Sequence, residues 1–459
     1  MKVILEKNNM HFIGIGGIGM SGIALVLLKM GYKVSGSDLG SNNLTEKLTA
    51  EGARIRFGHN HDNIPPETEV AVYSSSVNDS NPEIREARKR NLLIVKRAQV
   101  LAELLNGKKG IAVTGTHGKT TTSSLISVML ENCGLDPTAM IGGEVEIFKG
   151  NSKYGKGEYV VAEADESDGS FLYLKPLYSV ITNVEMEHID YYKTLEDAID
   201  SYAAFANNTK KGGCLFYNAE DENIRKVLKK FNGNRESFGF SKDADIYPHE
   251  IMMNEFYTSY VCVYKNEIIG KVSLRIPGKH NILNSLAAIL AGFKLGLSFE
   301  SICRSMQDFT GTKRRFHLRA YVDGVMLIDD YAHHPTEIRA VLDACRNWKD
   351  RRVIVVFQPH RYTRTKFLAE EFGRCFKGAD KLILTDIYAA SEKPIEGVSV
   401  KNIYDRVRLH GLNDVTMMSK ESVTRHIMDM KKRGDMIVVL GAGDIKEVSD
   451  ELSEKLNKR

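Results

Sequence analysis

The sequence predicts an α/β protein of three domains, in which helices cover mostly parallel sheets. Three observations lead to this prediction: the length of 459 residues, the alternation of short apolar runs with amphipathic stretches, and two glycine-rich loops that each follow a strand-like run. At about 150 residues per domain, the length corresponds to roughly three domains. Strands that alternate with helices form βαβ units, whose sheets are parallel and buried on both faces.

The strand-like runs extend over the whole chain. HFIGI, KVSGSD, EVAVYSSS and LLIV come first, GIAVTGT, EYVVAEAD, YSVITNV and GGCLFYN follow, and RVIVVFQP, KLILTDIY and DMIVVLGAG lie near the end. Polar, glycine-containing stretches around Asn106 and Gly311 separate these groups. We therefore predict domains at 1–106, 107–311 and 312–459. Between about 240 and 276 the pattern alternates, which indicates an antiparallel insertion.

Composition argues against several classes of protein. The apolar fraction of 42% and the charged fraction of 27% are typical of soluble enzymes, and a net charge of +4 argues against a dedicated nucleic-acid-binding protein. The six cysteines include no CxxC pair, which argues against a zinc ribbon or a redox dithiol. We find no convincing signal peptide or membrane span, so we expect a cytoplasmic protein without membrane insertion.

The first glycine-rich loop, GIGGIG, places Gly14, Gly16 and Gly19 in GxGxxG spacing directly after a strand-like run. Such glycines let backbone N–H groups approach a pyrophosphate at a helix N-terminus. Asp38 ends the next strand-like run about 20 residues later, where a ribose-binding acid is expected. The loop indicates a ligand with phosphates and ribose without identifying NAD, and a plain strand–helix turn is the alternative.

The second loop, TGTHGKTTT at 114–122, lies between a strand-like run and a helical one. Its Gly-Lys-Thr core supplies what a P-loop supplies: N–H groups that cradle phosphates, Lys119 for the β/γ oxygens, and Thr120 for Mg²⁺. It departs from the GxxxxGK[ST] pattern, since Val113 stands five residues before Gly118 and Gly115 stands three before it. We interpret ATP as the reactive nucleotide, with a plain glycine-rich turn as the alternative.

Acidic residues and a histidine end the two strand-like runs after this loop. They are Glu163, Asp165, Glu166 and Asp168 in the first run, and His188 and Asp190 after the second. Phosphoryl transfer needs carboxylates or neutral imidazole to hold Mg²⁺ beside the γ-phosphate. We predict metal binding by at least one member of these clusters, and a merely solvated acidic loop is the alternative.

Taken together, the motifs resemble the Mur ligase family. In chain order they are GIGGIGMSGIA, TGTHGKTTT, EADESDGSFL, TNVEMEHID, PGKHNILNSLAA, GTKRRF, DDYAHHPTE and FQPHRYTRT, and the resemblance runs from about residue 10 to residue 445. TGTHGKTTT is shared with a wider superfamily that includes the folylpolyglutamate enzymes. GIGGIGMSG, EADESD and FQPHRYTRT are narrower, and they favour the branch that adds L-alanine to UDP-N-acetylmuramate.

The resemblance implies a Rossmann-like UDP-binding domain, a central ATPase domain and a Rossmann-like C-terminal domain, and it implies the site residues. The UDP-sugar is expected at Gly14, Gly16, Gly17, Gly19, Asp38, Ser74 and Ser75. ATP is expected at Gly115, Thr116, His117, Gly118, Lys119, Thr120, Thr121, Asn281, Arg315 and Asp330. Two Mg²⁺ ions, which Mn²⁺ can replace, are expected at Thr120, Glu163 and His188, and L-alanine at Tyr331, His360, Arg361 and Arg364. Lys119, His188 and Arg364 are the expected catalytic residues.

Two features of the chain qualify these expectations. Glu187 stands where family members commonly have Asp before the histidine, and the longer acid changes the geometry available around His188. SYAAFA (201–206) has no counterpart of the carbamylated lysine of some relatives, which the alanine-adding branch typically lacks. An arginine fork suits a free α-carboxylate, although a solvated basic turn is the alternative for PHRYTRT.

The implied reaction is ATP-dependent amide formation through an acyl phosphate, in peptidoglycan precursor synthesis. A nicotinamide-dependent oxidoreductase would account for GxGxxG and Asp38 but leaves TGTHGKTTT without a role. A nucleotide switch that uses ATP only for conformational control is a second alternative. The third lies within the family: a ligase for a different amino acid or for a recycled peptide.

Overall fold

The computed structural model of the chain describes residues 3–74, 76–188 and 191–458. Within these residues the strands form three sheets, of five, ten and six strands. The chain divides into two compact units. Unit 1 comprises Met1–Glu250, Tyr260–Ser273 and Ile282–Phe309, and unit 2 comprises Ile251–Ser259, Leu274–Asn281 and Thr310–Arg459. The predicted α/β class is confirmed.

The N-terminal sheet has the strand order β3-β2-β1-β4-β5, and its pairs are parallel. Its strands are β1 Asn9–Ile13, β2 Lys33–Asp38, β3 Arg54–Phe57, β4 Val70–Tyr73 and β5 Leu93–Lys96. The helices are α1 Ile18–Lys29, α2 Asn43–Ala50, α3 Pro82–Lys89 and α4 Arg97–Asn106, with a short 3₁₀ helix at His61–Asn63. This is the Rossmann order, in which ligands bind at the carboxyl ends of the strands where the order reverses.

The ten-stranded sheet has the order β15-β14-β13-β12-β11-β10-β6-β9-β7-β8. Its strands are β6 Lys109–Thr114, β7 Thr138–Val145, β8 Gly150–Lys153, β9 Tyr159–Glu163, β10 Tyr178–Ile181, β11 Cys214–Asn218, β12 Arg235–Phe238, β13 Ile246–Met253, β14 Thr258–Tyr264 and β15 Glu267–Leu274. The helices are α5 Lys119–Asn132, α6 Leu195–Asn207, α7 Glu222–Leu228, α8 Lys279–Lys294 and α9 Phe299–Gln307, with 3₁₀ helices at Glu146–Phe148 and Ser170–Tyr173. Because β9 and β10 both pair in parallel with β6, the loops after these three strands leave the sheet at the same edge.

The C-terminal sheet has the order β16-β17-β21-β18-β19-β20, with β16 antiparallel to β17 and the other pairs parallel. Its strands are β16 His317–Val322, β17 Val325–Asp330, β18 Arg352–Phe357, β19 Lys381–Leu384, β20 Val415–Met417 and β21 Asp435–Leu440. The helices are α10 Pro335–Cys345, α11 Tyr362–Phe367, α12 Ala369–Cys375, α13 Val400–Leu409, α14 Lys420–Met430 and α15 Lys446–Asn457.

Buried strands and capped helices explain why these residues form these layers. Every residue of β21 is buried, and Ile111, Ala112 and Val113 of β6 have no exposed surface. Full burial of a valine or isoleucine side chain such as Val113 or Ile111 contributes about 1.5–3 kcal/mol. Thr194 and Asp197 form a capping box that starts α6. Among the described residues, no helix combines the length and apolarity needed to cross a membrane.

Candidate active site

The first glycine loop connects β1 to α1 and is held from β2. The N–H groups of Gly14 and Ile15 both donate to the carbonyl of Ser37, each at 2.9 Å. Gly16 donates its N–H to Oδ2 of Asp38 at 2.7 Å, so the carboxylate lies at the loop itself. A Cβ at Gly16 would lie 2.9 Å from that Oδ2 and 2.9 Å from Nδ2 of Asn42, which explains why glycine is needed.

The remaining residues expected to bind the UDP-sugar lie around this loop. Gly17 is the N-cap of α1, and a Cβ at Gly14 would lie 3.7 Å from Oγ of Ser74. Ser75 lies outside the described residues. The structure therefore places Ser74 and Asp38 next to the glycines, at the carboxyl ends of β4 and β2.

Arg97, the first residue of α4, is a site residue that sequence reasoning missed. A Cβ at Gly19 would lie only 3.0 Å from Cζ of Arg97, so the third glycine leaves room for this guanidinium. Nη2 of Arg97 lies 3.5 Å from Oδ2 of Asp165, in the acidic loop after β9. Arg97 thus links the glycine loop of the N-terminal sheet to the acidic loop of the central sheet.

The second loop delivers Lys119 to the start of α5. Gly118 is the N-cap of this helix with a φ of 83°, a left-handed conformation that favours glycine. Nζ of Lys119 donates to the carbonyl of Gly115 at 2.6 Å and to Oε1 of Glu166 at 2.8 Å. Burial by itself lowers the pKa of Lys119, but the charges of Glu166 and Glu163 raise it by more. The net shift of the pKa is upward, so the ammonium stays charged.

The middle of this loop is held by the segment that follows β10. His117 donates its backbone N–H to Oδ1 of Asn183 at 2.8 Å, and its Nε2 lies 3.5 Å from Oε2 of Glu185. The hydroxyl of Thr116 accepts the N–H of Glu185 at 2.8 Å. These contacts fix the shape of the loop without using the N–H groups at the start of α5.

The hydroxyl of Thr120 and the carboxylate of Glu163 meet at the first turn of α5. The hydroxyl of Thr120 donates to Oε2 of Glu163 at 2.8 Å, and the N–H of Gly142 on β7 donates to the same oxygen at 3.0 Å. Mg²⁺ prefers carboxylate and hydroxyl oxygens. Thr120 and Glu163, both expected to bind metal, are thus brought together by the structure, and their oxygens fit such an ion. Thr121 follows in the same turn of α5.

Of the other members of the acidic clusters, His188 lies beside Lys119 and Glu166, whereas Asp168 contacts Ser170. Nε2 of His188 lies 3.4 Å from Oε1 of Glu166, the oxygen that Lys119 also contacts, and 3.7 Å from Oε2 of Glu187. Burial lowers the pKa of His188, but the hydrogen bond to Glu166 and the charge of Glu187 raise it more, and the net shift is upward. Asp168 accepts the N–H of Ser170 instead, and Asp190 lies outside the described residues.

In unit 2, the expected amino-acid site follows β18. His360 comes three residues after this strand, and its Nδ1 lies 3.1 Å from Nη1 of Arg364 on α11. Arg361 is the N-cap of α11 with a φ of 71°, a strained conformation for a residue with a side chain. The site thus stands at the carboxyl end of a parallel strand, where open α/β sheets bind ligands.

Aromatic rings extend this site. The rings of His360 and Tyr388 stack with centroids 5.6 Å apart, and His333 contacts both His360 and Tyr331. The guanidinium of Arg315 lies 5.1 Å from the ring centroid of Tyr331. His333 and Tyr388 were missed by sequence reasoning, although the signal existed: each stands in a strand-end motif, DDYAHHPTE or KLILTDIY.

Asp330 and Asn281, both expected to bind ATP, make internal contacts in unit 2. Asp330 accepts the N–H of Phe316 at 2.6 Å and that of Ala332 at 2.7 Å, one on each carboxylate oxygen. Burial raises the pKa of Asp330 to about 6, against the lowering effect of Arg315. The amide of Asn281 donates to the carbonyl of Pro277 at 2.7 Å. In this arrangement Asp330 organises the turns around it.

Comparisons with known proteins agree with this architecture. Family models match in three consecutive parts: the catalytic domain of the Mur ligase family at 9–109, the Mur ligase middle domain at 113–292 and the glutamate ligase domain of Mur ligases at 314–443. The UDP-N-acetylmuramate–L-alanine ligase of Geotalea daltonii is 45% identical, with 98% of each chain covered. That of Carboxydothermus hydrogenoformans is 44% identical, with 97% of this chain and 96% of the relative covered.

Solved structures show the same arrangement. The UDP-N-acetylmuramate–alanine ligase of Thermotoga maritima is 29% identical and superimposes with a TM-score of 0.84, covering 97% of this chain and 98% of its own. A murein peptide ligase of Psychrobacter arcticus shares the fold at a TM-score of 0.73 and 22% identity, covering 98% of this chain and 99% of its own. With three family models in order and relatives of nearly equal length, this chain belongs to the Mur ligase family.

Proposed function

We propose that this chain joins L-alanine to the lactyl carboxylate of UDP-N-acetylmuramate, with cleavage of ATP to ADP and phosphate. The observation that carries the proposal is the pairing of Lys119 with Glu166 and of Thr120 with Glu163 at the second glycine loop, in a chain whose relatives of nearly equal length bear that activity in their names. The reaction would serve peptidoglycan precursor synthesis, and so cell-wall biogenesis, cell shape and cell division, in the cytoplasm.

The reaction proceeds in two steps, phosphoryl transfer and amide formation. A lactyl carboxylate oxygen attacks the γ-phosphorus, the bond to the β,γ-bridging oxygen breaks, and ADP leaves with its electron pair. The neutral amine of alanine then attacks the carbonyl of the acyl phosphate, loses a proton, and expels inorganic phosphate from the tetrahedral intermediate. The carboxylate is already a competent nucleophile, so positioning and charge neutralisation carry most of the catalysis.

The residues of the second loop fit the phosphoryl step. We assign the ATP phosphates to Gly115, Thr116, His117, Gly118, Lys119, Thr120 and Thr121, and the rest of ATP to Asn281, Arg315 and Asp330. Lys119 keeps its charge under the influence of Glu166 and Glu163, which suits a group that stabilises phosphoryl oxygens. The oxygens of Thr120 and Glu163 fit one Mg²⁺ or Mn²⁺ ion, and a second ion is assigned to His188 from the family resemblance alone. When bound, such ions neutralise charge on the phosphates.

The other two substrates are assigned to the other two sheets. The UDP-sugar is assigned to the first glycine loop, Asp38, Ser74 and Ser75. The carboxylate of L-alanine is assigned to His360, Arg361 and Arg364, with Tyr331 beside them. We also propose domains at 1–106, 107–311 and 312–459; α4 ends at Asn106 and β6 begins at Lys109.

The test is phosphate release from ATP with UDP-N-acetylmuramate and a panel of acceptors: L-alanine, glycine, L-serine and an L-alanine-initiated peptide. We expect release to require both the sugar nucleotide and an acceptor, to be fastest with L-alanine, and to stop with a chelator until Mg²⁺ or Mn²⁺ is restored. Preference for the peptide would instead identify a recycling ligase. Release without the sugar nucleotide would favour a nucleotide switch, and turnover of NAD would favour an oxidoreductase.

A further inference from the structure

The hairpin β7–β8 of the central sheet reaches α1 of the N-terminal sheet, and no substrate contact proposed above uses it. The two strands pair antiparallel, with Met140 opposite Ser152. On β8 the side chain of Asn151, which is 5% exposed, donates from Nδ2 to the carbonyl of Ile18 at 2.7 Å. Ile18 is the first residue of α1 and lies within the GIGGIG motif of the glycine loop.

Gly22 explains why the motif GIGGIGMSG continues beyond its GxGxxG part. A Cβ at Gly22 would lie 3.2 Å from Nδ2 of Asn151 and 3.4 Å from Cβ of Ser152. Because Gly22 has no side chain, β8 can pack closely against α1. A nucleotide-binding role for the glycines at 14–19 gives no reason for a glycine at 22, whereas this close approach does.

The hairpin contacts a second helix beside the same loop. Lys47 on α2 donates from Nζ to the carbonyl of Lys149 at 2.9 Å. The N-cap of α2 is Asn42, and its side chain donates to the carbonyl of Gly16 at 3.3 Å. Both helices that flank the glycine loop are thus attached to the hairpin.

Through β7 the hairpin also contacts the assigned metal ligand. Gly142 of β7 donates its N–H to Oε2 of Glu163, and a Cβ at this glycine would lie 2.5 Å from the same oxygen. The hydroxyl of Thr120 donates a hydrogen bond to the same oxygen. A cation held by Glu163 would use lone pairs of the oxygen that now anchors β7, so occupancy of this carboxylate and the position of the hairpin are linked.

We propose that the β7–β8 hairpin couples the nucleotide–metal site to the sugar-nucleotide site, and that Asn151 is the positioning residue through which the coupling reaches the glycine loop. The inference rests on the proposed function, since it takes UDP-N-acetylmuramate as the ligand of that loop. Binding of Mg²⁺ with an ATP analogue strengthens binding of the sugar nucleotide, and the reverse effect is equal by thermodynamic necessity.

Calorimetry on the full chain tests this, with the dissociation constant of UDP-N-acetylmuramate measured alone and with Mg²⁺ and a non-hydrolysable ATP analogue. We expect the analogue to tighten sugar-nucleotide binding at least about fivefold in the wild type. Asn151→Ala removes most of this enhancement while leaving the affinity for the analogue itself unchanged. Ser152→Ala is the matched control, because its buried hydroxyl has no hydrogen-bond partner among the described residues, and it keeps the enhancement.

The outcomes separate the coupling from the function. An equal enhancement in Asn151→Ala and the wild type overturns the coupling, as does a wild type that binds the sugar nucleotide without enhancement. If Asn151→Ala weakens binding of UDP-N-acetylmuramate equally with and without the analogue, Asn151 only supports the structure of the loop. That result also overturns the coupling. A wild type that does not bind UDP-N-acetylmuramate overturns the proposed function as well. Thermal melting of each variant shows whether the fold is intact, and Asn151→Asp, which lacks the donor but keeps the shape, repeats the test.

Discussion

Arg364 lies on the first turn of α11, in contact with His360. A guanidinium binds a carboxylate through two parallel hydrogen bonds, whereas an ammonium acts as a point charge and loses that orientation. We predict that Arg364→Lys raises the KM for L-alanine at least ~10-fold, the scale of one lost charge-assisted contact. Steady-state kinetics measure this, with the affinities for ATP and the UDP-sugar followed by calorimetry.

The matched control for Arg364→Lys is Arg374→Lys. Arg374 is an exposed residue of α12 in the same unit, where it contacts Glu370 at 2.8 Å. We expect this variant to keep the wild-type KM for L-alanine. Equal losses for all three substrates in Arg364→Lys would show that this arginine supports the fold, and an unchanged KM for L-alanine would show that alanine binds elsewhere.

Asp330 gives a prediction for pH dependence. Burial raises its pKa to about 6, so the folded chain binds more protons at this site than the unfolded chain, whose pKa is about 3.9. Its contribution to the free energy of unfolding is therefore fully present below about pH 4 and is lost as the pH rises to about 6. Carbon-13 NMR of labelled aspartates measures the titration directly, and Asp330→Asn assigns the signal. A midpoint near pH 4 would contradict the prediction.

At the scale of elements, the glycine loop between β1 and α1 depends on the small size of Gly16. A valine there would meet the carboxylate of Asp38 and the amide of Asn42, both within 2.9 Å of its Cβ. We predict that Gly16→Val raises the KM for the UDP-sugar by at least ~10-fold and changes the KM for ATP little, because the two loops belong to different sheets. Gly40→Val is the control, since a Cβ at Gly40 meets nothing within 4 Å. An equal rise for ATP would contradict separate roles for the loops.

Buried parallel strands were the elements that the sequence predicted best. The eleven strand-like runs all coincide with strands, namely β1, β2, β4, β5, β6, β9, β10, β11, β18, β19 and β21. Most of these runs are apolar because parallel strands are buried on both faces. The hairpin β7–β8 was not predicted, since TAMIGGEV contains two glycines and GNSK is polar. Its stability comes from pairing with β9 and from contacts with α1, which no local pattern reveals.

The residues of the candidate site also divide into those that the sequence predicted and those that only the structure reveals. Lys119 and Glu163 stand in motifs whose chemistry can be read from residue types, and the structure brings their loops to one sheet edge. Arg97 carries no such signal, because it is a single arginine at the start of an ordinary amphipathic helix. Its closeness to Gly19 and Asp165 depends on how two sheets of unit 1 pack. The role of Asp38 also needed coordinates, since a ribose-binding acid and an acceptor for Gly16 have the same sequence pattern.

At the scale of the whole molecule, a single tryptophan reports on unit 2. Trp348 is 2% exposed and packs between Phe256 and Phe316, with ring centroids 5.4 Å away in both cases. Phe256 belongs to the segment Ile251–Ser259, which joins unit 2 from an earlier part of the chain. We predict that Phe256→Ala lowers the stability of unit 2 by about 1–2 kcal/mol and shifts the fluorescence of Trp348 to the red.

Two probes distinguish this effect from a general loss of stability. Urea unfolding followed by tryptophan fluorescence reports on unit 2, and binding of the UDP-sugar at each urea concentration reports on unit 1. We expect Phe256→Ala to move only the first transition, and Phe57→Ala, at a side chain that is 53% exposed in unit 1, to move neither. A shift of both transitions by the same amount in Phe256→Ala would show that the two units unfold as one.

The backbone of Arg361 carries a consequence for engineering this enzyme. A φ of 71° disfavours a side chain by about 1–3 kcal/mol, and glycine would remove that cost. If Arg361 binds the carboxylate of alanine as we propose, the strain is the stability cost of placing a guanidinium at that turn. Arg361→Gly would then raise thermal stability and lower activity together. A thermostabilised variant should therefore be sought at positions away from this turn, where stability and turnover do not compete.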